Sequence, residues 1–199
     1  MLIATLCGSL QPASANEAVL AVVERSLRAR GVTVRRIEGL GGLPPFRPDV
    51  DVPSVVAEWA GGLADVDGVV IATPEYAAGP PGVLKNGLDW MVGLSTLYRT
   101  PTVVICAGST GGAFTIEALV RTLSYQGALT VGTLGIAAAR TKLDAAGEVT
   151  DPATKDHLEV LSAVLERACR AGEPELRALV APVVAPHGVD VERFGLASE

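Results

Sequence analysis

The chain has 199 residues, of which 49% are apolar and only 4% aromatic, and its formal net charge is −6. That length allows one domain with a single hydrophobic core, and the acidic balance gives no electrostatic reason to bind nucleic acid or an anionic membrane. The two histidines, His157 and His187, are too few and too far apart to predict a metal site.

The cysteines and the apolar runs indicate the compartment. Cys7, Cys106 and Cys169 lie far apart without a Cys-x-x-Cys motif, and Cys7 and Cys106 end apolar runs, which favours small buried core residues. The chain opens on an apolar run with no basic segment before it, unlike a secretory signal. No apolar stretch is long enough to cross a bilayer. We therefore expect a soluble, cytoplasmic protein.

The first part of the chain predicts two strands around a helix. The apolar run 2–7 is followed by a polar loop, 8–16, and by an amphipathic helix with basic residues in its last turn. Residues 32–37 predict the second strand. The loop 38–53 is rich in Gly and Pro and longer than most connections, which indicates a functional or interface role.

The middle of the chain combines a buried strand with a Gly- and Pro-rich loop. A helix at about 54–64 leads to the apolar strand 68–72, and Pro and Gly then interrupt regular structure over 74–82. Apolar residues recur at helical spacing after this loop. The order strand, loop, helix places the loop at the carboxyl edge of a parallel sheet, where open α/β folds bind ligands.

The last part predicts two strands, two helices and a tail. In order, these are the strand 102–107, the loop 108–112, a helix at 114–125, a weaker strand at 129–136 and a helix at 152–171. The tail from Glu173 contains three prolines and shows no clear period. We expect it to pack on a neighbour or to be mobile.

Five strands alternating with helices favour a flavodoxin-like doubly wound α/β fold, with a five-stranded parallel sheet in the order 2-1-3-4-5. The expected organisation is one domain over residues 1–172, followed by a C-terminal extension over 173–199. In this order, the loops after strands 1, 3 and 4 lie along one edge of the sheet. The sequence therefore predicts a shared ligand crevice there.

The loop 8–16 has the composition of a phosphate-binding loop. It combines the hydroxyls of Ser9 and Ser14, the side-chain amides of Gln11 and Asn16, and the free N–H groups of a helix start, which attract an anion. The alternative is that Ser14 or Asn16 only caps the helix.

The loop 108–112 is rich in glycine, so its backbone could approach a flat ligand closely, although an ordinary tight turn has the same composition. Neither a P-loop nor a Gly-x-Gly-x-x-Gly motif is present. Their absence argues against an NTPase and a Rossmann dinucleotide domain.

Three stretches carry a family resemblance: Gly8-Ser9-Leu10-Gln11-x-x-Ser14-x-Asn16, then Leu43-Pro44-Pro45-Phe46, then Pro74-Glu75-Tyr76 continuing to Pro81-Gly82-x-Leu84-Lys85-Asn86-x-x-Asp89-Trp90. Together they resemble the NADPH-dependent FMN reductase family, which includes flavin, quinone, azo-dye and chromate reductases. The resemblance covers roughly residues 1–170. It implies bound FMN, ping-pong hydride transfer from NADPH or NADH to a free flavin, quinone or specialised metabolite, and a homodimer or homotetramer.

The same resemblance implies a role for each loop. The first loop would hold the FMN phosphate, residues 74–77 would run beside the isoalloxazine ring, and residues 109–112 would approach its pyrimidine edge. The implied cofactor-binding residues are Ser9, Gln11, Ser14, Ala15, Asn16, Pro74, Glu75, Tyr76, Ala77, Ser109, Thr110, Gly111 and Gly112. Lys85, Asn86 and Asp89 are interpreted as framing the helix. No catalytic side chain is assigned, because the flavin itself carries the hydride.

Three positions depart from the family pattern. Gln11 stands where arginine is usual, Ala77 where asparagine is usual and Gly79 where serine is usual. Replacing a charged phosphate contact by a neutral amide costs about 1 to 2 kcal/mol, which is roughly five- to thirtyfold in affinity.

Two other functions are compatible with parts of the sequence. The three departures suggest a drifted site, which would leave a non-enzymatic binding protein or electron carrier. Separately, Ala107-Gly108-Ser109-Thr110-Gly111 is close to the nucleophile elbow of a serine hydrolase, with aspartates and histidines later in the chain. The hydrolase interpretation leaves the loops 8–16 and 74–82 unexplained.

Overall fold

The computed structural model describes residues 1–198. Within them, five parallel strands form a sheet in the order β2-β1-β3-β4-β5. The strands are β1 (Leu2–Cys7), β2 (Thr33–Ile37), β3 (Gly68–Thr73), β4 (Pro101–Ala107) and β5 (Leu129–Ile136). This order confirms the predicted flavodoxin-like doubly wound fold.

Helices cover the sheet. They are α1 (Ala15–Ala29), α2 (Ser54–Gly61), α3 (Gly82–Met91), α4 (Ala113–Tyr125), α5 (Pro152–Arg170) and α6 (Glu173–Val184). Helices α1 and α5 pack against each other over β3 and β4, while α4 and α6 meet beside β5. Among residues 1–198, no helix has both the length and the apolar character needed to cross a membrane.

The central strands explain why the sheet was visible in the sequence. Every residue of β3 and β4 is buried, because helices cover both faces of a parallel sheet. Cys7 and Cys106 are buried as predicted, and all three cysteines are free. Burial raises the pKa of Cys7, of Cys106 and of Cys169 to about 12, so these thiols are protonated at neutral pH.

The C-terminal segment differs from the prediction. Instead of an aperiodic tail that packs on a neighbour or is mobile, residues 173–184 form α6, which packs on β5 of the same chain. The buried side chains of α6 repeat every four residues: Leu176, Val180 and Val184. Pro174 sits in the first turn, where a missing N–H is tolerated, whereas Pro182 lies inside the helix and obscured the period. The boundary between 172 and 173 stays a prediction.

Candidate functional site

A cleft of about 730 Å³ opens at the carboxyl edge of the sheet. Its volume lies within the range of small-molecule sites. Its walls come from the loops after β1, β3 and β4, as predicted, and from the loop after β5, which was not. The lining residues are Ser9, Gln11, 13–16, 74–76, 107–109, 138–141 and 143–147.

The first loop (8–16) presents two serine hydroxyls to the cleft. Ser14 is the N-cap of α1, and its Oγ accepts a hydrogen bond from the Glu17 N–H at 3.2 Å. The Oγ of Ser9 accepts from the Gln11 N–H at 3.2 Å. Each hydroxyl uses its oxygen as an acceptor and keeps its proton for a ligand. Ser14 can therefore cap the helix and also donate a hydrogen bond to an anion, so the two interpretations of this residue are compatible.

Asn16 holds the start of α1 against the sheet. Its side chain is only 2% exposed. Its Oδ1 accepts from the Ala107 N–H at 3.1 Å, and its Nδ2 donates to the Ala107 carbonyl at 3.0 Å. The suggestion that Asn16 caps α1 is wrong, because the cap is Ser14. What Asn16 can still offer a ligand is its backbone N–H in the first helical turn and one remaining Nδ2 hydrogen.

Glu75 joins the second and third loops. One carboxylate oxygen accepts from the Thr110 hydroxyl at 3.0 Å, and the other accepts from the Thr115 N–H at 2.9 Å. Thr115 lies in the first turn of α4, where the free N–H groups and the helix dipole stabilise a carboxylate. Glu75 thereby fixes two walls of the cleft relative to each other.

Beside Glu75, the chain reverses in a two-residue turn. Tyr76 and Gly79 exchange backbone hydrogen bonds of 2.9 and 3.1 Å. The two residues between them, Ala77 and Ala78, both have positive φ, 49° and 58°. Turns of this kind usually carry Asn and Gly, because a Cβ disfavours the left-handed region. The backbone is therefore strained at one end of the cleft, a common property of functional sites.

Replacing Ala78 by glycine is expected to raise the free energy of unfolding by about 0.5 to 1 kcal/mol. Glycine removes the steric strain of a Cβ at positive φ, and this gain is larger than the cost of the greater conformational entropy of glycine in the unfolded chain. Urea titration followed by circular dichroism measures the change. Ala57, exposed on α2, is the control position, where glycine should instead destabilise by about 1 kcal/mol. Equal destabilisation at both positions would show that the turn is not strained.

The third loop (108–112) contributes less lining than predicted. Gly108 and Ser109 line the cleft, whereas Thr110, Gly111 and Gly112 do not. Thr110 holds Glu75, and Gly112 starts α4 with a φ of 72°. Of the predicted cofactor residues, Ala77 is the other one outside the lining. The nine inside are Ser9, Gln11, Ser14, Ala15, Asn16, Pro74, Glu75, Tyr76 and Ser109. Their binding roles stay predictions.

The loop after β5 forms a wall that sequence reasoning missed. Its backbone is anchored to the third loop through Ala138 N–H to Ser109 O, at 3.1 Å, and Ala139 N–H to Gly108 O, at 3.0 Å. Further on, Glu148 forms a 2.9 Å ion pair with Arg25 of α1. The available signal was length, since residues 137–151 separate β5 from α5 without a helix or strand longer than four residues.

The motif residues on α3 have structural partners. Lys85 and Asp89 form an exposed ion pair one turn apart. The Asn86 side chain accepts from the Phe46 N–H at 2.7 Å and donates to the Pro44 carbonyl at 3.0 Å, which ties the loop 43–46 to α3. These contacts agree with the interpretation that the three polar residues frame the helix.

The serine hydrolase interpretation lacks its base. Ser109 lines the cleft, but neither His157 nor His187 does. His157 is exposed on α5 and His187 lies in the turn after α6. A nucleophilic serine needs a base within hydrogen-bond reach, and the cleft supplies no imidazole.

A doubly wound sheet in the order 2-1-3-4-5, with a cleft over its strand ends and a helix start inside that cleft, defines the class of flavodoxin-like α/β proteins. Residues 1–142 match the family model of the NADPH-dependent FMN reductases, and the chain belongs to that family of NAD(P)H-dependent oxidoreductases. The family identified from the sequence is thereby confirmed, and FMN and NAD(P)H are its cofactors.

Similar proteins are quinone reductases and related flavoenzymes. The chain is 31% identical to a quinone reductase of Escherichia coli K12 over 167 residues, which are 78% of this chain and 88% of that protein. It is 41% identical over 90 residues to a 2-hydroxy-1,4-benzoquinone reductase of a Burkholderia species, 44% of this chain and about half (48%) of that protein. The structure of FerB, an NAD(P)H:(acceptor) oxidoreductase of Paracoccus denitrificans, matches with a TM-score of 0.68 at 26% identity, covering 83% and 95% of the two chains.

The residues present in the cleft fit FMN. A phosphate needs several hydrogen-bond donors, and the first loop provides the hydroxyls of Ser9 and Ser14 next to the first turn of α1. A flat ring needs walls without bulky side chains, and the cleft is lined by Ala107 at the end of β4 and by Gly108 and Ser109 of the third loop.

Proposed function

We propose that this chain is an FMN-dependent NAD(P)H reductase that passes a hydride to a quinone or a free flavin. The observation that carries the proposal is the cleft, which the start of α1 shares with the loops after β3 and β4, in a chain of the FMN reductase family. The free N–H groups of a helix start suit an anion. A quinone is the favoured acceptor, because the E. coli and Burkholderia relatives are quinone reductases. A specialised metabolite is the third candidate from the sequence.

In this proposal, the protein binds and orients, and bound FMN supplies the hydride chemistry. Ser9, Ser14 and the first turn of α1 hold the phosphate, while residues 74–76 border the ring. Glu75 is a positioning residue, because both of its carboxylate oxygens already accept hydrogen bonds from the α4 side of the cleft. We assign no catalytic side chain.

The test is an absorbance spectrum of the purified protein, followed by FMN titration and NADPH oxidation assays with benzoquinone. We expect stoichiometric FMN binding and NADPH oxidation that requires both protein and acceptor, with free FMN alone as the control. If the mechanism is ping-pong, double-reciprocal plots of initial rate against NADPH concentration, recorded at several fixed quinone concentrations, should give parallel lines. FMN binding without NADPH oxidation would instead indicate an electron carrier, and absence of FMN binding would refute the proposal.

We also propose that the chain is a homodimer or homotetramer that uses the loop 43–46 and α3. These two segments form one surface, because the Asn86 side chain accepts a hydrogen bond from the Phe46 N–H of the loop. The Phe46 ring also packs edge-on against the Trp90 ring, with 5.0 Å between the ring centroids. Phe46 and Val92 are exposed there. Light scattering that finds only a monomer would refute this assembly. A cytoplasmic location stays a prediction, testable by cell fractionation.

A further inference from the structure

We propose that Arg140, on the loop after β5, binds the phosphate of FMN and supplies the positive charge that the first loop lacks. This inference rests on the FMN binding proposed above. It assigns a ligand role to a wall of the cleft that the sequence motifs do not include.

The phosphate of FMN needs a positive charge in the cleft. A bound phosphate monoester carries close to two negative charges at neutral pH, and a charge removed from water needs a partner. The first loop contains no Lys or Arg. Three charged residues line the cleft, namely Glu75, Arg140 and Asp144. Arg140 is therefore the only cation among the lining residues.

The two carboxylates of the cleft are already engaged elsewhere. Glu75 accepts hydrogen bonds from Thr110 and Thr115. The Oδ1 of Asp144 accepts from the N–H groups of Ala146 and Glu148, both at 2.9 Å, which closes a local turn. Neither carboxylate forms an ion pair with Arg140, so the guanidinium is available to an anion that enters the cleft.

Arg140 differs from the other arginines in its hydrogen-bond and ion-pair partners. Within residues 1–198, each of the others has a carboxylate or a backbone carbonyl as hydrogen-bond or ion-pair partner. The partnered arginines are Arg25, Arg28, Arg30, Arg35, Arg36, Arg47, Arg99, Arg121, Arg167, Arg170, Arg177 and Arg193. In the same part of the chain, Arg140 has no such partner. The one arginine without an internal partner is also the one in the cleft.

The loop that carries Arg140 lines the same cleft as the first loop. The two hydrogen bonds between the Asn16 side-chain amide and the Ala107 backbone bring the start of α1 to the end of β4. The Ala139 N–H donates a hydrogen bond to the carbonyl of Gly108, the residue that follows Ala107. The ion pair between Arg25 and Glu148 then ties the other end of the loop to α1. The turn Ala139–Lys142 is thus fixed at the same cleft that contains the serine hydroxyls of the first loop.

Titration of the apoprotein with FMN and with riboflavin, which lacks the phosphate, tests the assignment by flavin fluorescence. Arg140→Gln should weaken FMN binding about 10- to 100-fold, the range for a lost charge-assisted hydrogen bond, and leave riboflavin binding unchanged. Raising the salt concentration should weaken FMN binding to the parent protein more than to the variant. The control Arg167→Gln removes an equal charge from an exposed position on α5, outside the cleft. It should change the affinity neither for FMN nor for riboflavin.

A second variant moves the charge instead of removing it. Gln11 lines the same cleft on the first loop, so Gln11→Arg introduced together with Arg140→Gln should restore most of the FMN affinity. Circular dichroism checks that each variant is folded. Equal weakening of FMN and riboflavin would overturn the proposal, since the effect would then be structural.

The remaining outcomes separate the possible sources of phosphate. Unchanged FMN affinity, with a raised KM for NADPH and an unchanged KM for NADH, would overturn the assignment and place the 2′-phosphate of NADPH at Arg140. If the parent protein binds riboflavin but gains no affinity from the phosphate, the inference about Arg140 fails while the proposed function stands. If it binds neither flavin, both fail.

Discussion

Asn16→Ala is expected to lower the free energy of unfolding by about 2 to 4 kcal/mol, because it leaves the buried N–H and C=O of Ala107 without partners, at about 1 to 3 kcal/mol each and partly offset by local relaxation. The same change frees the start of α1 from β4. We therefore also expect weaker FMN binding, beyond the loss of stability. Urea unfolding and FMN titration measure the two effects.

Gln11→Ala is the matched control for Asn16. It removes the same functional group from the same loop, but the Gln11 side chain is exposed and makes no hydrogen bond within residues 1–198. Its stability should change by no more than about 0.5 kcal/mol. If Asn16→Ala costs no more than Gln11→Ala, the bonds to Ala107 do not hold α1 in place.

Gly112→Ala is expected to destabilise the protein by about 2 to 5 kcal/mol. A Cβ at this position would overlap the Cys106 Sγ and lie 2.5 Å from the Cys106 Cβ, in a strand that is fully buried. Overpacking of this kind costs about 1 to 3 kcal/mol, and the φ of 72° adds about 1 to 2 kcal/mol. Thermal and urea unfolding both report the change.

The neighbouring glycine separates the two causes. Gly111 has a φ of 88°, yet a Cβ there would meet nothing closer than 3.6 Å. Gly111→Ala should therefore cost only the backbone term, about 1 to 2 kcal/mol. Adding Cys106→Ala to Gly112→Ala should recover part of the loss, because the Sγ is removed and the Cβ remains. Equal losses at the two glycines would show that packing against Cys106 has no effect.

The fold was predictable because its signals are local and redundant. Strands β3 and β4 are buried on both faces, so their sequences are continuous apolar runs. Alternation of strands and helices then restricts the topology to few arrangements. Helix α6 escaped because Pro182 lies inside it and conceals the four-residue spacing of its buried side chains.

The site was predictable only in part, for a different reason. Ser9 and Tyr76 follow recognisable strand ends and Ser14 directly precedes α1, so their place in the cleft followed from the strand order. The loop after β5 carries no polar motif comparable to the loop 8–16, and its position depends on backbone bonds to Gly108 and Ser109 that no composition reveals. The hydrogen bonds between Asn16 and Ala107 join residues 91 positions apart in the sequence, so no short motif could have predicted them.

The clamp between Asn16 and Ala107 also bears on how a cofactor is acquired. It is made entirely within the polypeptide, so the turn proposed to bind the phosphate is formed as soon as the sheet has assembled. A preorganised receptor loses little conformational entropy on capture. The polypeptide should therefore fold without its flavin and then take it up from solution.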